Sequence, residues 1–349
     1  MDSESNARRE PVRRPVGENG GGRRWPWVVG GLVVLGLIGL AVVSVGLILA
    51  LGATGGAVTA PAVYEEEYVS GEGDDKIAVI PVIGTIASAD SSLGGIQPTV
   101  TPEGLADALS QAEDDPGVLA VVLEVNSPGG GVTASDEMHQ SIMDFKANSG
   151  KPVVVSMGDT AASGGYYIST AADRIVANET TLTGSLGVIF QLNNFVELAD
   201  KYGYKQVVIK SGDFKDIGNA FRQITPEERE IFQALVDESY AEFVDVISSG
   251  RGIPEDRVRE IADGRIYSGE RARELDLIDS FGGLDEAANI AEELAESGDT
   301  TVVRYVQPPS FTDALLSGLA NRPTEAERLI EESGLTLEPK PYYLYLPGA

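Results

Sequence analysis

The chain has 349 residues, 42% of them hydrophobic, with no cysteine, a single histidine and a formal net charge of −28. This excludes disulfides, thiol catalysis and any cysteine-ligated or multi-histidine metal centre, and leaves Ser, Thr, Asp, Glu, Lys, Tyr and His139 for nucleophilic or acid–base work. Residues 1–52 hold six arginines against four acids, net +2, so the rest carries −28 − 2 = −30; such a surface repels nucleic acid and is read here as an adaptation to high salt, which screens its self-repulsion.

Taken in order, residues 1–27 form an arginine-rich tail. From Val28 to Leu51 the chain reads VVGGLVVLGLIGLAVVSVGLILAL, 24 residues without a charge. At about 1.5 Å per residue this reaches roughly 36 Å, enough for a hydrocarbon core of about 30 Å. Trp25 and Trp27 stand at interfacial depth, and the preceding arginines put the tail in the cytoplasm and the rest outside. We therefore expect a transmembrane helix over 28–52, since a cleaved signal peptide has an apolar core of only about 7–15 residues. Residues 53–75, Gly-rich and then acidic, read as a flexible linker.

Strand and helix patterns then alternate. IAVIPVIGTI (77–86), VLAVVLEV (118–125), PVVVSM (152–157), RIVAN (174–178), LGVIF (186–190) and KQVVIK (205–210) read as strands. TPEGLADALSQAEDD (101–115), TASDEMHQSIMDFKAN (133–148) and AASGGYYISTAA (161–172) read as helices. A long amphipathic helix spans 225–251, opened by a Thr225/Glu228 capping box. Such alternation predicts a mostly parallel sheet with helices on both faces, and sites at the carboxyl ends of its strands.

Two glycine-rich loops fall at such ends: NSPGGGV (126–132) and TAASGGYY (160–167). Glycines leave backbone N–H groups uncovered, and two uncovered amides beside Ser163 outline an acyl-transfer site. Either loop alone reads better as a plain turn. TTLTGSLGV (180–188) places Thr183 and Ser185 around a glycine, and VIKSGDFKDIG (208–218) places Lys215 in a loop.

In this order NSPGGG, AASGGYY, TGSLGV and KSGDFKDIG resemble the signal peptide peptidase A family, membrane-anchored serine–lysine proteases on a fold shared with Clp-type proteases and crotonases. ITPEERE, YAEFVDVISSGRGI and GRIYSGERARELDLIDSFGGLDEA extend the resemblance over residues 76–308. It implies an α/β, Clp protease/crotonase-like fold of repeated βαβ units preceded by one transmembrane helix, in the short single-domain form of the family. It implies a serine endopeptidase with no cofactor and no metal. Carried over by motif, Ser163 is the nucleophile and Lys215 the general base. Gly130 and Gly164 give the oxyanion donors, and Ser185 orients the lysine amine. Implied partners are apolar peptides such as remnant signal peptides, the bilayer through residues 28–52, and further copies of the chain in a ring such as an octamer, one chain's lysine serving its neighbour's serine. The implied location is the cell membrane, single-pass, with the catalytic domain outside. Residues 309–349 remain as a helical segment and an apolar tail, PKPYYLYLPGA, read as an edge strand or interface arm, or alternatively as lying in the active-site cleft like a product.

A lysine base must be held neutral by burial or by like charge, so Asp213 and Asp216 beside Lys215 are a difficulty. His139, mid-helix and upstream of the serine, is the rival base but reads as a packed or solvated helix residue. Tyr166 and Tyr167 read as core or pocket wall. Where the family has glycine, this chain has Asp276, which tolerates the left-handed conformation. The competing functions are a Ser–Lys peptidase acting on membrane-organising proteins, a crotonase-like acyl-thioester enzyme, which would need an adenine-nucleotide pocket, and a non-enzymatic membrane scaffold.

Overall fold

A computed structural model describes residues 63–88 and 99–307. The helix expected at 28–52 and the segment expected at 309–349 lie outside the described residues, among which no helix is long and apolar enough to cross a membrane. In chain order the elements begin with β1 (Glu65–Gly71), β2 (Asp75–Ile83), β3 (Thr85–Ile86), β4 (Thr99–Val100), α1 (Pro102–Asp114) and β5 (Val118–Ser127). They continue with α2 (Val132–Ser149), β6 (Val153–Ala162), α3 (Gly164–Ser169), β7 (Arg174–Ala177), β8 (Leu182–Gly184) and α4 (Val196–Tyr202). The last are α5 (Pro226–Arg251), α6 (Glu255–Ile261), β9 (Ile266–Ser268), α7 (Gly269–Glu274), β10 (Ser280–Phe281), α8 (Leu284–Leu294) and β11 (Thr300–Val306).

The main sheet runs β1-β11-β2-β5-β6-β7-β10, parallel except for β1 against β11. The three central strands carry apolar stretches at Ile77–Val82, Val118–Leu123 and Val153–Val155 because both of their faces are covered there. Side chains alternate strictly between the faces. Ile77, Val79, Val122 and Val154 pack on Ala287, Ala288 and Ala291 of α8, whereas Ala78, Ile80, Leu123 and Val155 join the larger core with α1, α2 and α3. Each such valine, leucine or isoleucine stabilises the fold by about 1.5–3 kcal/mol relative to exposure, so the centre of the sheet is its most rigid part.

Several expectations change. The strand expected at 152–157 runs on to Ala162, and the helix expected at 161–172 shortens to α3. The reason is pairing: β7 covers β6 from Val154 to Met157, and β8 then covers it from Thr160 to Ala162. The strand expected in LGVIF falls earlier, as β8, because Ser185 turns left-handed at φ 51° and ends the ladder. KQVVIK forms no strand; Val207 is 87% and Ile209 96% exposed, and neither finds a pairing partner within the described residues. Part of the expected linker is ordered: Glu65–Gly71 is β1, held on β11 and by Lys76 Nζ donating to Glu66 Oε2 at 2.8 Å. Asp276 adopts the expected left-handed turn, φ 60°, and lets Leu277 N donate to Ala272 O at 2.9 Å to close α7.

Candidate active site

Strand β6 delivers Ser163 to a sharp turn. Its ladder with β8 continues one step past Ala162, with Ser163 N donating to Gly184 O at 2.9 Å, and α3 begins at the next residue. Between these two constraints Ser163 is forced to φ 52°, ψ −119°, a conformation that costs a non-glycine residue on the order of 1–3 kcal/mol and is retained only where the surroundings dictate it. They do so here: Tyr167 N donates to Ser163 O at 2.8 Å, and the wholly buried Tyr166 anchors α3 by donating its hydroxyl to Leu277 O at 2.8 Å. The strand thus ends with the serine hydroxyl at the head of a turn and not along a sheet face.

The loop after β5 lies against that turn. Ile86 N donates to Gly129 O at 3.0 Å and Gly131 N to Ile86 O at 2.9 Å, a parallel bridge that leaves the amide of Gly130 facing the other way. A Cβ on Gly164 would run into Ser135 Oγ and stand 3.2 Å from Gly130 N, so only a glycine lets the two backbones come this close. Gly164 N is the first amide of α3, and neither it nor Gly130 N donates to a protein acceptor among the described residues. Two free amides therefore converge next to Ser163, which is the arrangement an oxyanion requires.

Ser163, Gly130, Gly164 and Ser185 open onto one cleft of about 710 Å³, walled by Tyr167, Val188, Val236, Tyr240 and Phe243. Ser185 reaches it through its own left-handed turn, its amide donating to Arg265 O at 2.7 Å. Thr183 is structural, its buried hydroxyl donating to Ala161 O at 2.6 Å. Tyr167 donates its hydroxyl to Asp136 Oδ1 at 3.0 Å, and burial together with that carboxylate pushes its pKa up, so it stays protonated. His139 does not line the cleft. Its ring stands edge-on to Tyr167 at 5.4 Å, and burial lowers its pKa, as for a packed helix residue.

Lys215 is not brought to Ser163 within the chain. It is exposed on a turn, its amide donating to Gly212 O at 3.2 Å, and it does not line the cleft. Two contributors escaped the sequence reading. Gly129, at φ 97°, packs on the serine turn, and the buried Ser127 accepts from Gly129 N at 3.1 Å to shape the loop. Only the glycine run itself hinted at them.

An α/β domain that sets a serine on a strained strand-to-helix turn beside two free amides is built for acyl transfer. The sequence model of peptidase family S49 matches residues 146–297, which include Ser163, Ser185 and Lys215. A putative signal peptide peptidase of Enterococcus faecium is 34% identical over 294 residues, 81% of this chain and 85% of that one. A putative protease of Synechocystis is 36% identical over 262 residues, 75% of this chain and 88% of that one. A solved ClpP1 variant of Listeria monocytogenes superposes with a TM-score of 0.39 and 16% identity, covering 60% of this chain and 93% of that chain. The chain belongs to peptidase family S49 and is a serine peptidase.

Proposed function

We propose that this peptidase uses Ser163 as nucleophile and Lys215 as base to cut apolar peptides, remnant signal peptides among them, outside a membrane to which residues 28–52 anchor it. The observation that carries the reading is Ser163 at its strained turn, facing two free glycine amides in an apolar cleft. Its Oγ attacks the scissile carbonyl while a neutral lysine amine takes the proton. The amides of Gly130 and Gly164 stabilise the oxyanion as it forms, a contribution of about 3–4 kcal/mol per donor in comparable sites. The lysine ammonium then protonates the leaving amine. Water, activated by the same lysine, releases the acyl group from Ser163, and the Ser185 hydroxyl holds the amine in line.

In this reading the lysine comes from a neighbouring copy in a ring, and the domain is of the Clp protease/crotonase type. Two observations support the shared site: Lys215 stands outside its own chain's cleft, and Ile189, Val207 and Ile209 are exposed at 86%, 87% and 96%. An isolated chain gains nothing by exposing such residues, whereas a strand partner on another copy would cover them. The direct experiment is labelling with a fluorophosphonate and mapping by mass spectrometry. The label should fall on Ser163 and be lost in Lys215→Ala; a label elsewhere overturns the nucleophile, and undiminished labelling of Lys215→Ala overturns the base.

A further inference from the structure

Asp216 follows Lys215 directly, where a free carboxylate would pair with the lysine ammonium and keep it charged. Its groups are engaged elsewhere. Oδ2 accepts from Arg222 Nε at 2.9 Å, and Oδ1 accepts from Arg222 Nη2 at 2.9 Å and from Lys210 Nζ at 2.7 Å. Its carbonyl oxygen accepts from Arg222 Nη2 at 2.9 Å. Arg222, ahead of Lys210, holds the Asp216 carboxyl far below the usual carboxylate range. Among the described residues Lys215 makes no ion pair.

The guanidinium is itself anchored. Nη1 donates to Glu228 Oε2 at 2.7 Å and Nη2 to Glu228 Oε1. Glu228 is only 2% exposed. It also closes the start of α5: Thr225 N donates to Glu228 Oε2 at 3.1 Å, and Glu228 N donates to Thr225 Oγ1 at 3.2 Å. An unbroken line of bonds thus runs from the first turn of α5 through Glu228 and Arg222 to Asp216. Further along, α5 carries Val236, Tyr240 and Phe243 into the wall of the Ser163 cleft. The helix that shapes the nucleophile's cleft also fixes the turn that carries the lysine.

We propose that Arg222 is a positioning residue for catalysis: it ties the Asp216 carboxylate to α5, so that this neighbouring acid does not pair with the amine of Lys215. The proposal rests on the reading of Lys215 as base. The other charged groups of this turn fit it. Lys210 lies on Asp216 and donates to Asp213 O at 2.6 Å, Glu228 is spent on Arg222 and the helix cap, and Asp213, though exposed, forms no ion pair with Lys215. A lysine at 222 would not serve equally, because only a planar fork meets both carboxylates at once.

The test is the pH dependence of peptidase activity in the full-length chain, comparing wild type with Arg222→Met, Arg222→Lys and Arg222→Met/Asp216→Asn, with Lys215→Ala assayed beside them. Activity rises as the base deprotonates. Arg222→Met leaves Asp216 with Lys210 as its remaining cationic partner among the described residues, and should move that rise upward by about one pH unit and lower kcat/KM at pH 7 about tenfold. Arg222→Lys should move it less, and the added Asp216→Asn should return the midpoint to the wild-type position. A merely structural role would lower kcat with the midpoint unmoved and no return on adding Asp216→Asn, and that result overturns the proposal. If Arg222→Met does not fold, the same comparison is made in Arg222→Lys, where an unmoved midpoint with lowered kcat overturns it equally. Activity retained by Lys215→Ala would instead remove the base, and this proposal with it. An inactive Lys215→Ala beside an unmoved Arg222→Met midpoint removes this proposal alone.

Discussion

The Cβ that Gly129 lacks would fall 2.6 Å from the amide nitrogen of Gly164 and 2.9 Å from Ser163 Cβ, so these glycines bring two backbones into contact at Ser163. Neither strand could supply both amides alone: one comes from the loop after β5, the other from the first residue of α3.

This contact predicts the effect of Gly129→Ala. The methyl would push the loop off the serine turn, and alanine at φ 97° is strained in addition. We expect kcat/KM to fall at least about 100-fold, with a loss of about 1 kcal/mol or more in unfolding free energy. Gly150→Ala is the control: it also has positive φ, 69°, but nothing lies within 4 Å of the new methyl, so stability should drop while kinetics are unchanged.

Ser163→Ala should abolish turnover yet unfold within about 1 kcal/mol of wild type, since a half-buried hydroxyl in a turn contributes little to stability. Lys215→Arg should be equally inactive, because a guanidinium does not give up its proton at working pH. Active-site titration alongside urea unfolding checks both. An active arginine chain would exclude the lysine as base.

His139 supplies a pH signature that is easy to isolate, being the single histidine of the chain. Burial lowers its pKa in the folded protein below the unfolded value of about 6.5. The unfolded chain therefore binds more protons, so this contribution is fully present above about pH 6.5 and is lost as pH falls through the lower folded value. The urea midpoint should decline from pH 7 toward 5 more steeply in wild type than in His139→Gln. Parallel declines would show that the imidazole is solvated in the fold.

Much of this architecture is legible in the sequence, for a physical reason. The middle stretches of β2, β5 and β6 are buried on both faces and so read as apolar runs, and Asp276 announces a left-handed turn. What the sequence misstates depends on pairing. EEEYVSG reads as an acidic tether but becomes β1, because β11, far along the chain, offers it an edge. LGVIF and KQVVIK have the composition of strands, yet the first is displaced by the turn at Ser185 and the second has no partner within the described residues. For the site, motif order marked Ser163, Gly130, Gly164 and Ser185, which the fold brings together. Lys215 was marked by motif alone, and the Arg222–Asp216–Glu228 chain was not visible, since nothing in local pattern says which of many surface charges will meet.

The net charge of −28 sets a further expectation. If these carboxylates are an adaptation to high salt, screening should relieve their repulsion, and the thermal unfolding midpoint should rise between dilute and molar potassium chloride. A midpoint that stays level or falls would make the charge an ordinary acidic surface.

The proposed sharing of a site, Ser163 of one chain served by Lys215 of another, is tested most directly by complementation. Ser163→Ala and Lys215→Ala chains, each inactive alone, are co-expressed in membranes, the oligomer is isolated, and peptidase activity is assayed per assembled chain. Partial recovery is expected, since some neighbours then pair an intact serine with an intact lysine. No recovery in oligomers shown to contain both chains would contradict it and would mean that each chain builds its own dyad.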